Sequence, residues 1–429
     1  MERLLPDQVE IDSLIDKLYR QEAGKLIAVL TRFFGAEHIE LSEDVVQDAL
    51  TEALSNWKVN GVPENPSGWL YTVAKNKALN VIRKEKNRKA GTSDIAHFLD
   101  SIWTTQPALD YFFSEREIQD DQLRMIFMCC HPAISADSQI ALALKTLCGF
   151  SIKEIASAFV TCPENIHKRL VRARKTIRDH QIQFEVPVGN ELEKRLKAVQ
   201  ETIYLLFNEG YNASGGDMLI RNHFSDEAIR LTSIAVSHVA IKSKETTHAL
   251  LALMLFNSAR FAARTDEYGN IITLEHQNRL LWDRARIREG FIHLQKSHPH
   301  QFVSKYHILA IISSYHCAAS SFESTNWIGI LHEYDRLLEI DDTSIVRLNR
   351  AVVVAKVEGA GQALAQLEEI DDLNDYHLYH SVKADLQTQL MQYLAAIDSL
   401  QCAYKLAIIP AEKVLIKKRM ANCKKKIQN

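Results

Sequence analysis

The chain has 429 residues, 46% of them apolar and 24% charged, with a formal net charge of -3 and a pI near 6.6. That length accommodates two to four domains with real cores, and the near-balanced charge excludes a uniformly basic nucleic-acid binder, so any such contact must come from local patches. Seven cysteines, at 129, 130, 148, 162, 317, 402 and 423, are an odd and scattered set, which excludes a disulfide framework and points to free thiols in a reducing compartment.

The first residues, MERLLPDQVEID, hold no basic segment followed by an apolar core, and the longest apolar run, ALLALMLF (249–256), is far short of the ~20 residues a membrane span needs. The expectation is a cytoplasmic protein with no membrane contact. Few prolines and glycines, long patterns of period 3.6 and almost no alternating β-branched runs predict an all-α fold. Two stretches break the pattern: residues 90–121, with scattered acids, and VPVGN at 186–190.

In LSEDVVQDALTEALSNWK (41–58), Ser42 is the expected N-cap, with acids in the first turn. Val45, Val46, Ala49, Leu50, Ala53, Leu54 and Trp57 form the inward face, while Asp44, Gln47, Asp48 and Thr51 recur at i, i+3, i+4, i+7 on the other side. That stripe is either a solvated acidic face or a dock for a basic helical partner. In NPSGWLYTVAKNKALNVIRKEKNRK (65–89), Asn65 caps a helix that has Pro66 at its first position. Leu70, Ala74 and Val81 share the expected core face, and Trp69, Thr72, Asn76, Asn80 and Arg83 gather opposite within ~80°. An aromatic ring, amides and a guanidinium on one face suit unpaired bases. Lys75, Lys77, Lys84, Lys86, Arg88 and Lys89 add charge for phosphates.

FMCCHP (127–132) looks at first like a metal or redox motif. However, Leu123, Ile126, Phe127 and Cys130 fall at i, i+3, i+4, i+7, so Cys130 is expected as a small core residue, with Pro132 ending the helix. Adjacent Cys-Cys-His cannot easily wrap one tetrahedral zinc, and no metal or cofactor is expected. In SIKEIASAFVTCPENIHKRLVRARKTIR (151–178), Ser151 and Glu154 form a capping box that opens a short helix. Thr161 or Cys162 then caps a second helix with Pro163 at its start. Ile166, Leu170, Ala173 and Ile177 face inward, and Asn165, Lys168, Arg169, Arg172, Arg174 and Lys175 are the candidate DNA contacts. A tight turn followed by a one-sided basic helix suits entry into a major groove; the alternative is a helical hairpin with a basic surface.

Taken in order, these motifs resemble a bacterial RNA polymerase sigma factor of the extracytoplasmic-function group. EDVVQDAL resembles the polymerase-binding helix of sigma domain 2, and PSGWLYTVAKNKALNVIRKEK resembles its −10 melting and recognition region. Many relatives carry Asp at the position of Asn80, so base preference there stays open. LALKTLCGFSIKEIASAFVTCPENIHKRLVRARKTIR resembles sigma domain 4, the reader of the −35 element, and LRMIFMCCHPAI marks its entry in the subgroup with a long extension. The resemblance implies domain 2 at 8–90, a linker at 91–121, domain 4 at 122–185 and a regulatory extension at 190–429. It implies the clamp and flap regions of core RNA polymerase and −10 and −35 promoter DNA as partners. The linker acids Asp94, Asp100, Asp110, Glu115, Glu117, Asp120 and Asp121 would run through the polymerase channel. No enzymatic activity is expected. A competing reading is a helix-turn-helix activator with a sensing domain that never replaces sigma, but it has no use for residues 41–89.

Beyond 190 the chain continues in helical patterns. Ala351, Ala363, Leu364 and Leu367 recur 33 residues later as Ala384, Ala396, Ile397 and Leu400, the tetratricopeptide-like pattern of a stacked solenoid. ETIYLLFNEGYNASGGD, SDEAIRL, ALLALMLFNSAR and LLWDRARIREG resemble the extension of the same subgroup, whose partner is an unknown protein or ligand. The glycines of 210–217 lack the Lys-Ser/Thr of a phosphate loop, and 266–277 lacks oxygen ligands at calcium-loop spacing. The histidines 293, 298, 300, 307 and 316 lack a carboxylate or cysteine at ligand spacing.

Overall fold

The computed structural model describes residues 8–88, 114–159, 161–211, 222–298 and 302–428, apart from the side chains of 8–10, 82–88 and 158. The described residues form α-helices, short 3-10 turns and one isolated bridge between Thr265 and Ile271, with no strand, the all-α class expected. They divide into two compact units, residues 1–205 with 237–241, and residues 206–236 with 242–429.

The first unit opens with α1 (Gln8–Phe34), which contacts α2 (Ile39–Asn60), α3 (Pro66–Arg88), α4 (Glu115–Cys129) and α5 (Ala136–Thr146). Gly24 is what lets α1 approach so closely, because a Cβ there would lie 2.1 Å from the carbonyl oxygen of Leu147. Helix α2 starts earlier than expected, after a turn at Gly35 (φ 90°) and the 3-10 turn Ala36–His38. Ser42 is therefore not a cap. It is buried, and its Oγ accepts from Thr31 Oγ1 at 3.2 Å. In α3 the Asn65 cap forms as expected, Asn65 Oδ1 accepting from Gly68 N at 2.9 Å. The core face continues from Leu70 and Ala74 to Ala78, and Val81 is only half-buried.

Residues 115–121, expected at the end of a linker, are the first two turns of α4. Glu117 and Asp121 are buried there. Arg32 on α1 donates to Glu117 Oε2 at 2.6 Å and lies 3.7 Å from Asp121 Oδ2, and Arg124 also pairs with Asp121. Burial pushes the Asp121 carboxyl up to about 7, against the pull of Arg32 and Arg124. Residues 91–113, with Asp94, Asp100 and Asp110, lie outside the described residues.

After α5 come α6 (Ile152–Ala158) and α7 (Pro163–Asp179), which pack together and, through α7, on α5. The unit does not stop at 185. The first sixteen residues of α8 (Asn190–Tyr211) bury Leu196, Val199 and Ile203 in it, and Arg195 donates to Phe127 O at 2.6 Å. Thr202 Oγ1 also donates to Gln139 Oε1 at 2.7 Å.

In the second unit, α9 (Asn222–Ser237) precedes α10 (Glu245–Ser258), which carries the longest apolar run and is buried on all sides, as an all-round apolar helix must be. Against α10 lie α11 (Arg284–Lys296) and α12 (Lys305–Ala318). From α12 onward, α13 (Trp327–Ile340), α14 (Ser344–Val357), α15 (Ala360–Glu368), α16 (His377–Gln389), α17 (Tyr393–Leu406) and α18 (Pro410–Gln428) each contact the next in sequence. Gly359, at φ 100°, makes the tight α14–α15 turn. Ala351, Ala363 and Leu367 are buried, and so are Ala384, Ala396 and Leu400, their equivalents 33 residues on. Small side chains at those points let neighbouring helices close up. Among the described residues no helix is long and apolar enough to cross a membrane.

Candidate nucleic-acid and polymerase interfaces

The stripe expected on α2 is a surface. Asp44, Gln47, Asp48 and Thr51 are all exposed, while Val45, Val46, Ala49, Ala53 and Trp57 fill the opposite side. Thr51 Oγ1 donates back to Gln47 O at 2.9 Å, which keeps the hydroxyl on the helix and leaves the two aspartates as the stripe's charge.

On α3, Trp69 is half-buried and stands edge-on to Trp57, with ring centroids 5.4 Å apart at 64°. Trp57, which sequence reasoning treated only as core, is thus the support that fixes the Trp69 ring. Thr72, Asn76 and Asn80 are exposed along the same side, and Lys75 is half-buried. Thr72 Oγ1 donates to Gly68 O at 2.9 Å. Lys77 pairs with Glu52 of α2 at 2.8 Å, so its charge is directed to that helix rather than to phosphates. The side chains of Arg83 and Lys84 lie outside the described residues, as do those of Lys86, Arg88 and Lys89.

The α6–α7 pair is built by local chemistry. Glu154 N donates to Ser151 Oγ at 3.2 Å and Ser151 N to Glu154 Oε2 at 2.8 Å, completing the capping box. Cys162 is the N-cap of α7, with Pro163 at its first position. Ile166, Leu170, Ala173 and Ile177 are the buried residues of α7. Asn165, Lys168, Arg172 and Lys175 are exposed on the outward side. Asn165 Nδ2 donates to Thr161 Oγ1 at 2.9 Å, and Arg169 is half-buried beside Asp137 at 3.2 Å and over the Phe159 ring. Val171, exposed between Lys168 and Lys175, is an apolar member of this face that charge-based reading overlooks.

Arg174 is not on that face. At ~100° per residue it sits ~70° from the centre of the buried stripe, and its guanidinium turns to α2, pairing with Glu43 and with Glu40 at 3.2 Å. The Arg174 and Glu43 side chains are only 11% and 12% exposed. Burial raises the Glu43 carboxyl, with Arg174 the strongest opposing pull. Arg174 therefore leaves the DNA-contact set. Arg20 of α1 similarly donates to Glu154 Oε1 at 2.6 Å, so both ends of the α6–α7 pair are ion-paired to the first three-helix segment.

Cys129 and Cys130 are buried; Cys129 Sγ lies 3.3 Å from Thr146 Oγ1, and burial pushes the Cys130 thiol up to about 12. Neither is poised as a thiolate. In the second unit His293 meets His248, Nδ1 to Nδ1 at 2.8 Å, and His300 lies outside the described residues. Asp266 accepts from Tyr268 N and Asn270 N, closing a tight loop with its own backbone.

Residues 18–88 match sigma-70 region 2, and residues 195–298 match a family of unknown function, DUF6596. The first match sets residues 18–88 with a domain of transcription regulators and supports binding to core RNA polymerase and promoter DNA in general. An uncharacterized protein of Rhizobium meliloti (strain 1021) is 33% identical over 395 residues, covering 92% of either chain. The chain belongs to the same family as that protein, and the region 2 match at residues 18–88 supports a sigma-70 family member with a sigma-factor-like role in transcription initiation. An activator that never replaces sigma is not favoured, because it has no need of region 2.

Proposed function

We propose that the chain is a sigma factor of the extracytoplasmic-function group whose C-terminal half is a built-in, tetratricopeptide-like regulatory domain. Asp44, Gln47, Asp48 and Thr51 meet the basic clamp of core polymerase. Trp69, braced by Trp57, offers a stacking platform for an unpaired −10 base, with Thr72, Asn76 and Asn80 as hydrogen-bonding groups and Lys75, Arg83 and Lys84 as phosphate contacts. Helix α7 reads the −35 duplex through Asn165, Lys168, Arg169, Arg172 and Lys175, and Val171 supplies an apolar contact suited to a thymine methyl. The chemistry is wholly non-covalent, exchanging base stacking in the duplex for capture of single-stranded bases.

The observation that carries this reading is one chain that joins a region 2 match, bearing a half-buried tryptophan beside exposed amides, to a capped turn and one-sided basic helix. Because Asp44 and Asp48 are exposed and make no contribution to the core, reversing both to lysine tests the polymerase face without disturbing the fold. Binding of core polymerase should weaken by at least about tenfold. Unchanged affinity in a titration of labelled core would contradict the assignment. The regulatory half is tested by comparing full-length protein with a 1–205 truncation, which keeps the main segment of the first compact unit.

A further inference from the structure

Glu22 of α1 is a carboxylate whose side chain is 12% exposed, and two side chains of α3 close on it. Tyr71 OH donates to its Oε2 at 3.0 Å and Ser67 Oγ donates to its Oε1 at 3.4 Å. Lys25, a turn further along α1, answers its charge at 3.1 Å. Burial first, then Glu22, pushes the Tyr71 phenol up, so its hydroxyl stays protonated and remains a donor. Hydrogen bonds to an ionised acceptor are roughly twice as strong as neutral ones, which makes this carboxylate a firm point of attachment between α1 and α3.

Ser67 and Tyr71 are one turn apart and bracket Trp69 in sequence. At ~100° per residue both lie ~160° from Trp69 around the helix, so Glu22 grips the back of the turn that carries the ring at its front. The core face of α3 cannot do the same. Leu70, Ala74 and Ala78 are buried, but apolar burial is non-directional, and a methyl group does little to key a helix against rotation. Those residues hold α3 close, and the carboxylate sets its roll. At a side chain's ~6 Å radius, a roll of ~20° carries the ring by ~2 Å, whereas a binding constellation tolerates ~0.5 Å. The same roll draws Trp69 away from Trp57, whose ring centroid lies 5.4 Å from its own.

We propose that Glu22 is a positioning residue for base capture: through Ser67 and Tyr71 it fixes the roll of α3, and with it the setting of the Trp69 ring against an unpaired base. It acts through the helix and not on the base. The inference rests on the proposed role of Trp69 as a stacking platform.

The test uses two readouts on the full-length chain. The first needs no DNA: the circular-dichroism exciton couplet of the Trp57–Trp69 pair, isolated by subtracting the spectrum of Trp69→Phe in the same background. Glu22→Ala should reduce that couplet at least about twofold, and Glu22→Gln, whose amide oxygen still accepts from Tyr71, should keep most of it. The second is the affinity of the chain assembled with core polymerase for the −10 single strand of a cognate promoter. Trp69→Ala should weaken it at least about fivefold and Glu22→Ala at least about threefold, with −35 duplex binding unchanged in both. Tyr71→Phe keeps the ring and loses only the hydroxyl, and it should follow Glu22→Ala in both readouts, so it decides the matter even should Glu22→Ala fail to fold. The proposal is overturned by a couplet that is absent from the unaltered chain, or that Glu22→Ala and Tyr71→Phe leave unchanged. Loss of capture with Trp69→Ala but with neither of those variants overturns the positioning role and leaves base capture standing. No loss with Trp69→Ala removes base capture itself, and the positioning role falls with it.

Discussion

Replacing Arg174 by alanine removes the cation that holds α7 to α2 across 131 residues of sequence. Glu40 is about half exposed, so its share is that of a surface pair, roughly 0–1 kcal/mol. Glu43 is different. Its side chain is 12% exposed and its Oε1 has no hydrogen-bond partner, so the variant leaves a nearly buried carboxylate unpaired. Breaking a buried pair on one side costs roughly 3–5 kcal/mol, and the accessible edge of Glu40 places this site near the lower end, about 3 kcal/mol. The pH dependence carries a sign. The Glu43 carboxyl already titrates above 4.5 in the folded chain, so the unfolded chain ionises first and stability falls as pH rises through that window. Without Arg174 the folded value moves further up, so the deficit grows from pH ~4.5 towards neutrality. Replacing both residues by leucine should restore most of the loss, because an apolar pair of similar volume is often neutral at such sites. Urea unfolding of the 1–205 unit at several pH values measures all three. A loss under about 0.5 kcal/mol for Arg174→Ala, or a deficit that is flat with pH, would refute the reasoning.

Gly24→Ala should destabilise the first unit by at least about 1–3 kcal/mol, since its methyl would strike the Leu147 carbonyl, a backbone atom that cannot rotate away; thermal unfolding checks this. Arg172→Ala, on the exposed side of α7, should weaken −35 duplex binding and lower the slope of log affinity against log salt by about one; an unchanged slope means this face points elsewhere. Trp69→Ala should impair promoter opening, followed by permanganate reactivity of unpaired thymines, more than it impairs closed-complex binding. Burial, with His293 and Lys296 behind it, lowers His248 to about 4 from 6.5, so it favours the folded state above pH 6.5 and that contribution is lost as pH falls towards 4. His248→Gln should flatten that acid loss by up to roughly 3 kcal/mol in the second unit; an unaltered profile would place the acid sensitivity elsewhere.

What the sequence made legible was whatever local chemistry encodes. The Asn65 cap, the Ser151–Glu154 box, Pro163 at the start of α7 and its four-residue buried stripe are all written within a few residues of where they act. The solvent-facing stripe of α2 follows from the same periodicity. What was missed depends on distant partners. Ser42 looks like a cap until Thr31 is found beside it. Glu117 and Asp121 read as linker acids because Arg32, which helps make their burial tolerable, lies on another helix. Arg174 sits in a basic run, and nothing nearby says that Glu43 takes it out of that run. Helix α8 carries an obvious amphipathic pattern, but Arg195 and Thr202 find their partners on α4 and α5, which moved the end of the first unit from 185 to 205.

The central claim is that this chain by itself confers promoter-specific initiation on RNA polymerase. The direct measurement is run-off transcription with core polymerase stripped of every other sigma factor, on a promoter taken from the chain's own regulon. Transcripts from a defined start that appear only when the chain is added, and that disappear with Asp44→Lys/Asp48→Lys, are the predicted result. Initiation that still requires a second sigma factor, or none from any cognate promoter, would contradict it.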